Sequence, residues 1–571
     1  MFLFDWFRSF LPLHNPIGFG AADFLELALA SLGVALVLFR ARFQDAARRL
    51  ALRTGWSMLL LAVLPVALRL ALLWRFPVPT PGGADDCSYV LLADTLRHLR
   101  LANPVHPLHQ FFESVFVLQE PRYSSTFPMG QGLILALGWT LFGHPWAGVL
   151  LSIAALCALS YWMLRAWTTP GWALTGGLLA VALFGPLNPW MNLYWGGAVS
   201  ACAGCLVFGA LPRLAGGWRT RDAVLLGAGM GVQALARPFE SLFVAVAVAA
   251  FFGRDWVRLP AARRAALLAA LAFLPALLLI LAQNRQVTGS FTTLPYQVSR
   301  AQYGVPAPLT FQENLPPRRT LTREQDQVYR AQVAVSQEAL ELGFLGRLWQ
   351  RVRFYRFFFP VPIYLALPAF LAALRERRFR WVLLAVGLLA VGSNVYPYFY
   401  PHYVAAAACL FLLVSVTALD RLTRIPRLAG AASIVLFLCA FQFLFWYGIH
   451  LAANERVLLA MTRYENESTD FINYGDAEGR IAIGKRLAGE SGRQLVFVRY
   501  GPLHMFHEWI HNAADPDAAP VVWAADLGAE ENRKLRGYYP DRKAWLAEPD
   551  AHPPLLIPYE LAPPPLPVDG Q

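Results

Sequence analysis

Two adjacent carboxylates, Asp85 and Asp86, follow a Gly-Gly turn in the stretch PTPGGADDCSYVLLADTL that begins at Pro79. A helix starting at Asp86 carries Tyr89 and Asp94 on its next turns. A carboxylate just beyond an apolar span is costly unless it serves a site or reaches water. Paired acids in such a place can act as a general base, ligate a metal or cap a helix N-terminus, and the residue types alone leave all three open. The same stretch of chain continues through Asn103, His106, His109, Glu113 and Glu120. His-x-x-His with a carboxylate four residues on has metal-ligand character, but Pro107 interrupts the helix that such a site needs, so no metal or other cofactor is expected, although a divalent ion would be chemically compatible.

Other polar residues sit where apolar runs meet. Arg237 and Glu240 flank the helix-breaking Pro238, either as a buried pair shaping a cavity or as a solvated turn. Tyr396, Tyr398, Tyr400, His402 and Tyr403 form an aromatic run that an interfacial belt explains, with His402 free to contact phosphate or sugar. The turn Asn188–Gly197 offers Trp190, Asn192, Tyr194 and Trp195 for the same kinds of contact. Near the C-terminus His504, His507, Glu508 and His511 cluster, either as a site or as ordinary capping and solvated side chains.

The elements that position these groups follow from composition. Of 571 residues, 57% are hydrophobic and only 15% are charged. A soluble domain carries roughly 25% charged residues, so lipid is the main solvent. The net charge of +12 is carried by basic loops between apolar runs, which is the pattern of membrane orientation and not of nucleic-acid binding. Residues 451–571 are the exception, with 12 Lys and Arg against 18 Asp and Glu. Apolar runs near 21–39, 56–74, 146–165, 172–188, 196–211, 222–236, 239–252, 264–282, 357–373, 380–396, 403–419 and 428–447 make a mainly α, polytopic bundle of about 12 spans. Alternating them places the basic loops, among them Arg40–Arg53, Arg213–Arg221 and Arg421–Arg427, on one side, the cytoplasm. This works only if the short apolar segment 129–143 is a juxtamembrane helix and not a span.

The expected organisation is a transmembrane domain over 1–450 and an extracytoplasmic α/β tail over 451–571. Residues 75–128 form a first outer loop holding the acids, and 283–356 a second. In the tail, Gln494–Arg499, Val521–Ala524 and Lys543–Ala547 read as strands and Glu530–Tyr539 as a helix. A helix is expected from Thr322.

The loop from Asp85 to Gly143 resembles the GT-C superfamily of integral membrane glycosyltransferases, in its protein O-mannosyltransferase and lipid A aminoarabinose transferase branch. The resemblance rests on Asp85, Asp86 and Tyr89, then on Phe127, Pro128, Leu141, Phe142 and Gly143. It extends to the multi-span layout as far as about residue 450. Asp86 stands where the superfamily commonly has Glu, and Arg122 has to replace a lysine. The resemblance implies a GT-C bundle that transfers a sugar from a polyprenyl-phosphate donor to an acceptor hydroxyl or amine at the extracytoplasmic face of the inner membrane. It implies Asp85 as base with Asp86 beside it and Arg122 in the lysine's place at the donor phosphate. The expected substrate contacts are Tyr89, Arg122 and Tyr123 of this loop together with Arg237, Glu240 and His402 from the apolar boundaries read above. Donor lipid, membrane lipid and a glycan, lipid or protein acceptor are the implied partners, without nucleic acid. A lipid-linked glycan transporter or flippase, or an envelope assembly protein, is the competing reading. Acids in outer loops and the lack of a half-to-half repeat weigh against a transporter.

Overall fold

The computed structural model describes residue 33 and residues 40–253, 255–428, 430–452 and 479–561. Apart from residue 33, the expected span at 21–39 lies outside the described residues, as do the start of the expected tail at 453–478 and its end at 562–571.

The chain runs through α1 (Arg40–Leu52), α2 (Thr54–Ala71), α3 (Ala84–Arg97), α4 (Met129–Phe142), α5 (Trp146–Leu164), α6 (Pro170–Phe184), α7 (Ala198–Ala215), α8 (Thr220–Ala236), α9 (Pro238–Phe252) and α10 (Pro260–Thr288). Then come α11 (Pro295–Tyr303), α12 (Arg323–Glu341), α13 (Gly343–Arg351), α14 (Arg377–Ser393), α15 (Ala408–Thr423) and α16 (Ala431–Ala452). Six described helical stretches are long and apolar enough to cross a membrane: Thr54–Ala71, Trp146–Leu164, Ala198–Ala215, Pro260–Thr288, Pro401–Thr423 and Pro426–Ala452. The apolar helices α4, α6 and α9 are shorter. On α10, Leu267, Leu271, Leu274 and Leu278 point outward as an exposed apolar stripe, which fits a lipid solvent and not water.

One expected span is not an α-helix. Residues 357–373 fall in short 3-10 runs, Val352–Phe358, Val361–Leu365 and Leu367–Arg375. Pro360, Pro362 and Pro368 each remove an N–H donor and crowd the carbonyl one turn back, so an α-helix cannot propagate through them.

The connections segregate to two ends. At one end the basic loops meet: Arg213 donates to Trp162 O at 2.8 Å, Arg378 to Trp167 O at 3.2 Å, and Arg421 pairs with Glu376. At the other end the first and second polar loops, the 188–197 turn and the 393–403 turn come together. Gln283 Nε2 donates to Phe127 O at 3.2 Å, and Arg351 Nη1 donates to Ser393 O at 2.8 Å. Helix α12 begins where expected, with Thr322 Oγ1 accepting from Gln325 N at 3.2 Å and the Gln325 side chain returning to Thr322 N at 3.1 Å.

Two short strands, β1 (Val117–Leu118) and β2 (Ser124–Ser125), pair within the first loop. The tail adds α17 (Arg480–Gly489), β3 (Arg493–Val498), β4 (Val521–Ala525), α18 (Ala529–Tyr538), β5 (Arg542–Glu548) and β6 (Leu555–Pro558). The sheet order is β4-β3-β5-β6, parallel except for β5–β6. Alternation along β3 sends Leu495 and Phe497 to one face and Val496 and Val498 to the other. The first face is completed by Phe111 and Phe112 of the first loop, which are fully buried against Leu535 and Tyr539. The tail sheet therefore builds part of its core from residues almost 400 positions earlier, and loop and tail share that core.

Helix α4 lies directly on α5. A Cβ on Gly138 would sit 2.0 Å from Gly148 N, and one on Gly148 would sit 2.2 Å from Ile134 O. Gly143 ends α4 with φ +77°, a conformation that suits glycine. Gly138→Val or Gly148→Val should separate the two helices and lower the melting temperature in detergent by several degrees, since overpacking costs about 1–3 kcal/mol. Gly387→Ala on α14, where nothing lies within 4 Å, should leave the melting temperature unchanged or slightly raised.

Candidate functional site

The two acids have different surroundings. Asp86 is buried, and its Oδ1 accepts from Tyr194 N at 2.7 Å and Trp195 N at 3.2 Å. Gly82 N donates to the same carboxylate. The 194–195 backbone is itself fixed. Tyr194 Oη donates to Pro79 O at 2.7 Å, and Gln131 Nε2 donates to Tyr194 O at 2.8 Å. Asn192 Oδ1 accepts from Arg69 Nε at 2.8 Å, and the remaining Arg69 donors go to Phe76 O and Pro77 O. A fully buried arginine in an apolar helix is thereby satisfied and locks the chain where it leaves α2. Asp86 is thus a structural tie between α3 and the 188–197 turn.

Asp85 is partly exposed, and among the described residues its carboxylate is bonded only by its own backbone N–H. Its low-dielectric surroundings push it up to about 6, and the Arg237 charge pulls it back down. Burial pushes Asp86 up to about 7, against the pull of the Tyr194 and Trp195 N–H groups. The carboxylate with free lone pairs is therefore Asp85.

Arg237 reaches this place because of the residue after it. Position 237 precedes Pro238, which disfavours helical backbone, and Arg237 adopts φ −143° and ψ 79° between α8 and α9. Its guanidinium lies 5.0 Å from the centre of the Tyr403 ring and within electrostatic reach of Asp85, Tyr89, Glu240 and His402. Glu240, in the first turn of α9, accepts from the Tyr396 hydroxyl, and its Oε1 is buried without a hydrogen-bond partner. Tyr396 stacks on Tyr403 at 4.8 Å, and His402 packs between Trp195 at 4.7 Å and Tyr403 at 4.6 Å. Tyr89 stacks on Phe127 at 4.7 Å, one turn along α3 from Asp85.

Asp85, Tyr89, Arg237, Glu240 and His402, drawn from three separate stretches of chain, therefore meet around one place. Tyr123 and Arg122 do not join them. Tyr123 is buried against the tail, its hydroxyl donating to Asn512 O at 3.3 Å. Arg122 is exposed and lines a surface pocket of about 420 Å³ with Arg285–Gly289, at the carbonyl end of α10. That end of a helix dipole disfavours an anion. Sequence reasoning missed Tyr296, which faces Asp85 from the second polar loop, and the role of the 194–195 N–H groups. The run Asn188-Pro189 and Gly196-Gly197 marked a built turn, but no pattern linked it to Asp86.

The histidines of the first loop separate. His106 Nε2 is 3.1 Å from Tyr539 Oη, whereas His109 is 3.8 Å from Glu113. Glu113 is claimed by Tyr303 Oη at 2.9 Å and Arg319 at 3.1 Å. Among the described residues no three His, Cys, Asp or Glu side chains form a metal-ligand group.

No protein-family profile matches the chain, and no curated protein sequence matches it. Solved structures similar to it include ArnT from Cupriavidus metallidurans in the apo state, with 15% identity over 87% of this chain and 93% of that one and a TM-score of 0.48. The same enzyme bound to undecaprenyl phosphate gives 15% identity, the same coverage and a TM-score of 0.46. The apo oligosaccharyltransferase of Archaeoglobus fulgidus gives 11% identity over 86% of this chain and 69% of that one, with a TM-score of 0.43.

The unequal bonding of the two acids sets their cost of removal. Asp86→Ala strands the Tyr194 and Trp195 N–H groups and should lower stability by about 1–3 kcal/mol, read as a lower melting temperature in detergent. Asp85→Asn loses no such bond and removes a poorly solvated charge, so its melting temperature should equal or exceed that of the parent.

Proposed function

We propose that the protein transfers a sugar from a polyprenyl-phosphate donor to a hydroxyl or amine of its acceptor, with Asp85 as general base. The observation that carries this reading is the placement of Asp85: partly exposed, free of strong hydrogen bonds and beside Arg237, while its neighbour Asp86 is tied down. Asp85 takes the proton of the incoming hydroxyl as the acceptor oxygen bonds to the anomeric carbon. The bond from that carbon to the phosphate oxygen breaks on the opposite face, which inverts the configuration. Negative charge grows on the departing polyprenyl phosphate, and Arg237 is the cation positioned to stabilise it. Arg122, at the helix end where anions are disfavoured, is not given that task. Tyr89, His402 and Tyr403 supply aromatic and polar surface for the sugar, and Glu240 holds Arg237 in place.

The basic loops gather at the end opposite the site. By the positive-inside rule that end is cytoplasmic, so the site and the tail face outward. The donor is then a lipid-linked sugar already at that face.

Purified protein incubated with a panel of polyprenyl-phosphate sugars and candidate acceptors, read by mass spectrometry, tests the proposal. Asp85→Asn should cut turnover by about 10²–10⁴-fold while donor binding persists. Turnover equal to the parent would rule Asp85 out as the base, whereas a parent that forms no product with any donor would favour a transporter.

The pH dependence has a definite sign. The base works ionised, so kcat/KM should rise with pH through an acidic limb near 6. Arg237 holds Asp85 down, so Arg237→Gln should move that limb to higher pH as well as slowing turnover. A limb that stays in place would mean that the two groups do not interact.

A further inference from the structure

The turn that presents Asp85 is held from outside the bundle. Glu508 N donates to Gly82 O at 2.8 Å, and His507 forms an antiparallel bridge with Gly83. Gly82 N in turn bonds the Asp86 carboxylate. The Gly-Gly turn is thus gripped on one side by Asp86 and on the other by the tail segment His504–Ile510.

That segment is built around Glu508, which is 1% exposed. Its Oε1 accepts from Tyr500 Oη at 2.9 Å and Ile510 N at 3.0 Å, and its Oε2 accepts from Val115 N of the first loop at 3.3 Å. Arg480 of α17 donates to Glu508 O and lies over the Trp509 ring at 5.3 Å. Phe506, just before the bridge, has φ +66°, a left-handed conformation that costs a non-glycine residue about 1 kcal/mol or more. Such a conformation persists only where surrounding contacts fix it. Glu324 of α12 closes the junction, buried beside Glu508 and 3.9 Å from His504. First loop, second loop and tail therefore converge on the residues immediately before Asp85.

We propose that the tail segment around Glu508 is a positioning element of the active site, which sets Asp85 by holding the Gly82–Gly83 turn. This rests on the reading of Asp85 as the base. Glu508 acts through the turn and touches no substrate.

The test uses Glu508→Gln in the full-length protein, which keeps the side-chain shape but sets an amide N–H against the Val115 or Ile510 N–H. Arg480→Gln loosens the same segment from the other side and serves if the first variant does not fold. Hydrogen–deuterium exchange over residues 82–87 should quicken by about tenfold or more while the spans keep their protection. Turnover should fall by about tenfold or more with KM for the donor unchanged, since misplacing a reacting group by an ångström costs on that order. The acidic limb of kcat/KM should shift down as Asp85 gains water. Parent-like exchange at 82–87 in both variants would overturn the proposal. So would faster exchange with kcat and the acidic limb unmoved, because the tail would then be structural only. A parent protein inactive with every polyprenyl-phosphate sugar would sink the transferase reading, and the exchange measurement would still decide whether the tail holds the turn.

Discussion

Two adjacent aspartates at a membrane boundary repel each other and resist burial, and the structure resolves this by treating them differently. Asp86 receives the backbone N–H groups of Tyr194, Trp195 and Gly82. Asp85 receives none of these and is left facing the Arg237 charge. Everything around the site serves that division. Arg69 fixes the turn that donates to Asp86, Pro238 turns Arg237 inward, and the tail holds the glycines that precede both acids.

The division also explains why so much irregular backbone gathers at one end of the bundle. Non-helical chain near a membrane is stable only where its polar groups are met within the protein or by water. Here the 188–197 turn, the 393–403 turn and the polar loops satisfy one another. Arg351 alone donates to Ser393 O, Asn394 Oδ1 and Tyr396 O, so the tyrosines that surround Arg237 stand on a fixed support.

Much of this was legible in the sequence, for reasons that can be named. The helix at Asp86, the apolar α4 and the capped helix after Thr322 each have local signals: acids at an N-terminus, a Pro before and a Gly after, a Thr-x-x-Gln box. The strands Arg493–Val498, Val521–Ala525 and Arg542–Glu548 fall where alternation and β-branched residues placed them. The edge strand Leu555–Pro558 and helix Arg480–Gly489 were not anticipated, because proline flanks the one and long polar stretches surround the other. The 357–373 segment was apolar enough for a span, but its three prolines outweigh its hydropathy. Within the site, Arg237 and His402 stood out because each adjoins a proline at an apolar boundary, and Glu240 because it lies two positions after Pro238. Tyr123 and Arg122 stood out only by closeness in sequence to the acids, and closeness in sequence did not become closeness in space. The grip of Glu508 on Gly82, more than 400 positions away, leaves no mark in a single sequence.

The central claim is that Asp85 titrates as a base beside a cation in poorly solvated surroundings. Infrared difference titration of the full-length protein, with Asp85→Asn subtracted to isolate the carboxyl band, measures this without any substrate. The account predicts a protonated-carboxyl band that disappears with a midpoint near 6, and at higher pH in Arg237→Gln. A midpoint near 4, the ordinary carboxylate range, and unmoved by the loss of Arg237, would contradict it.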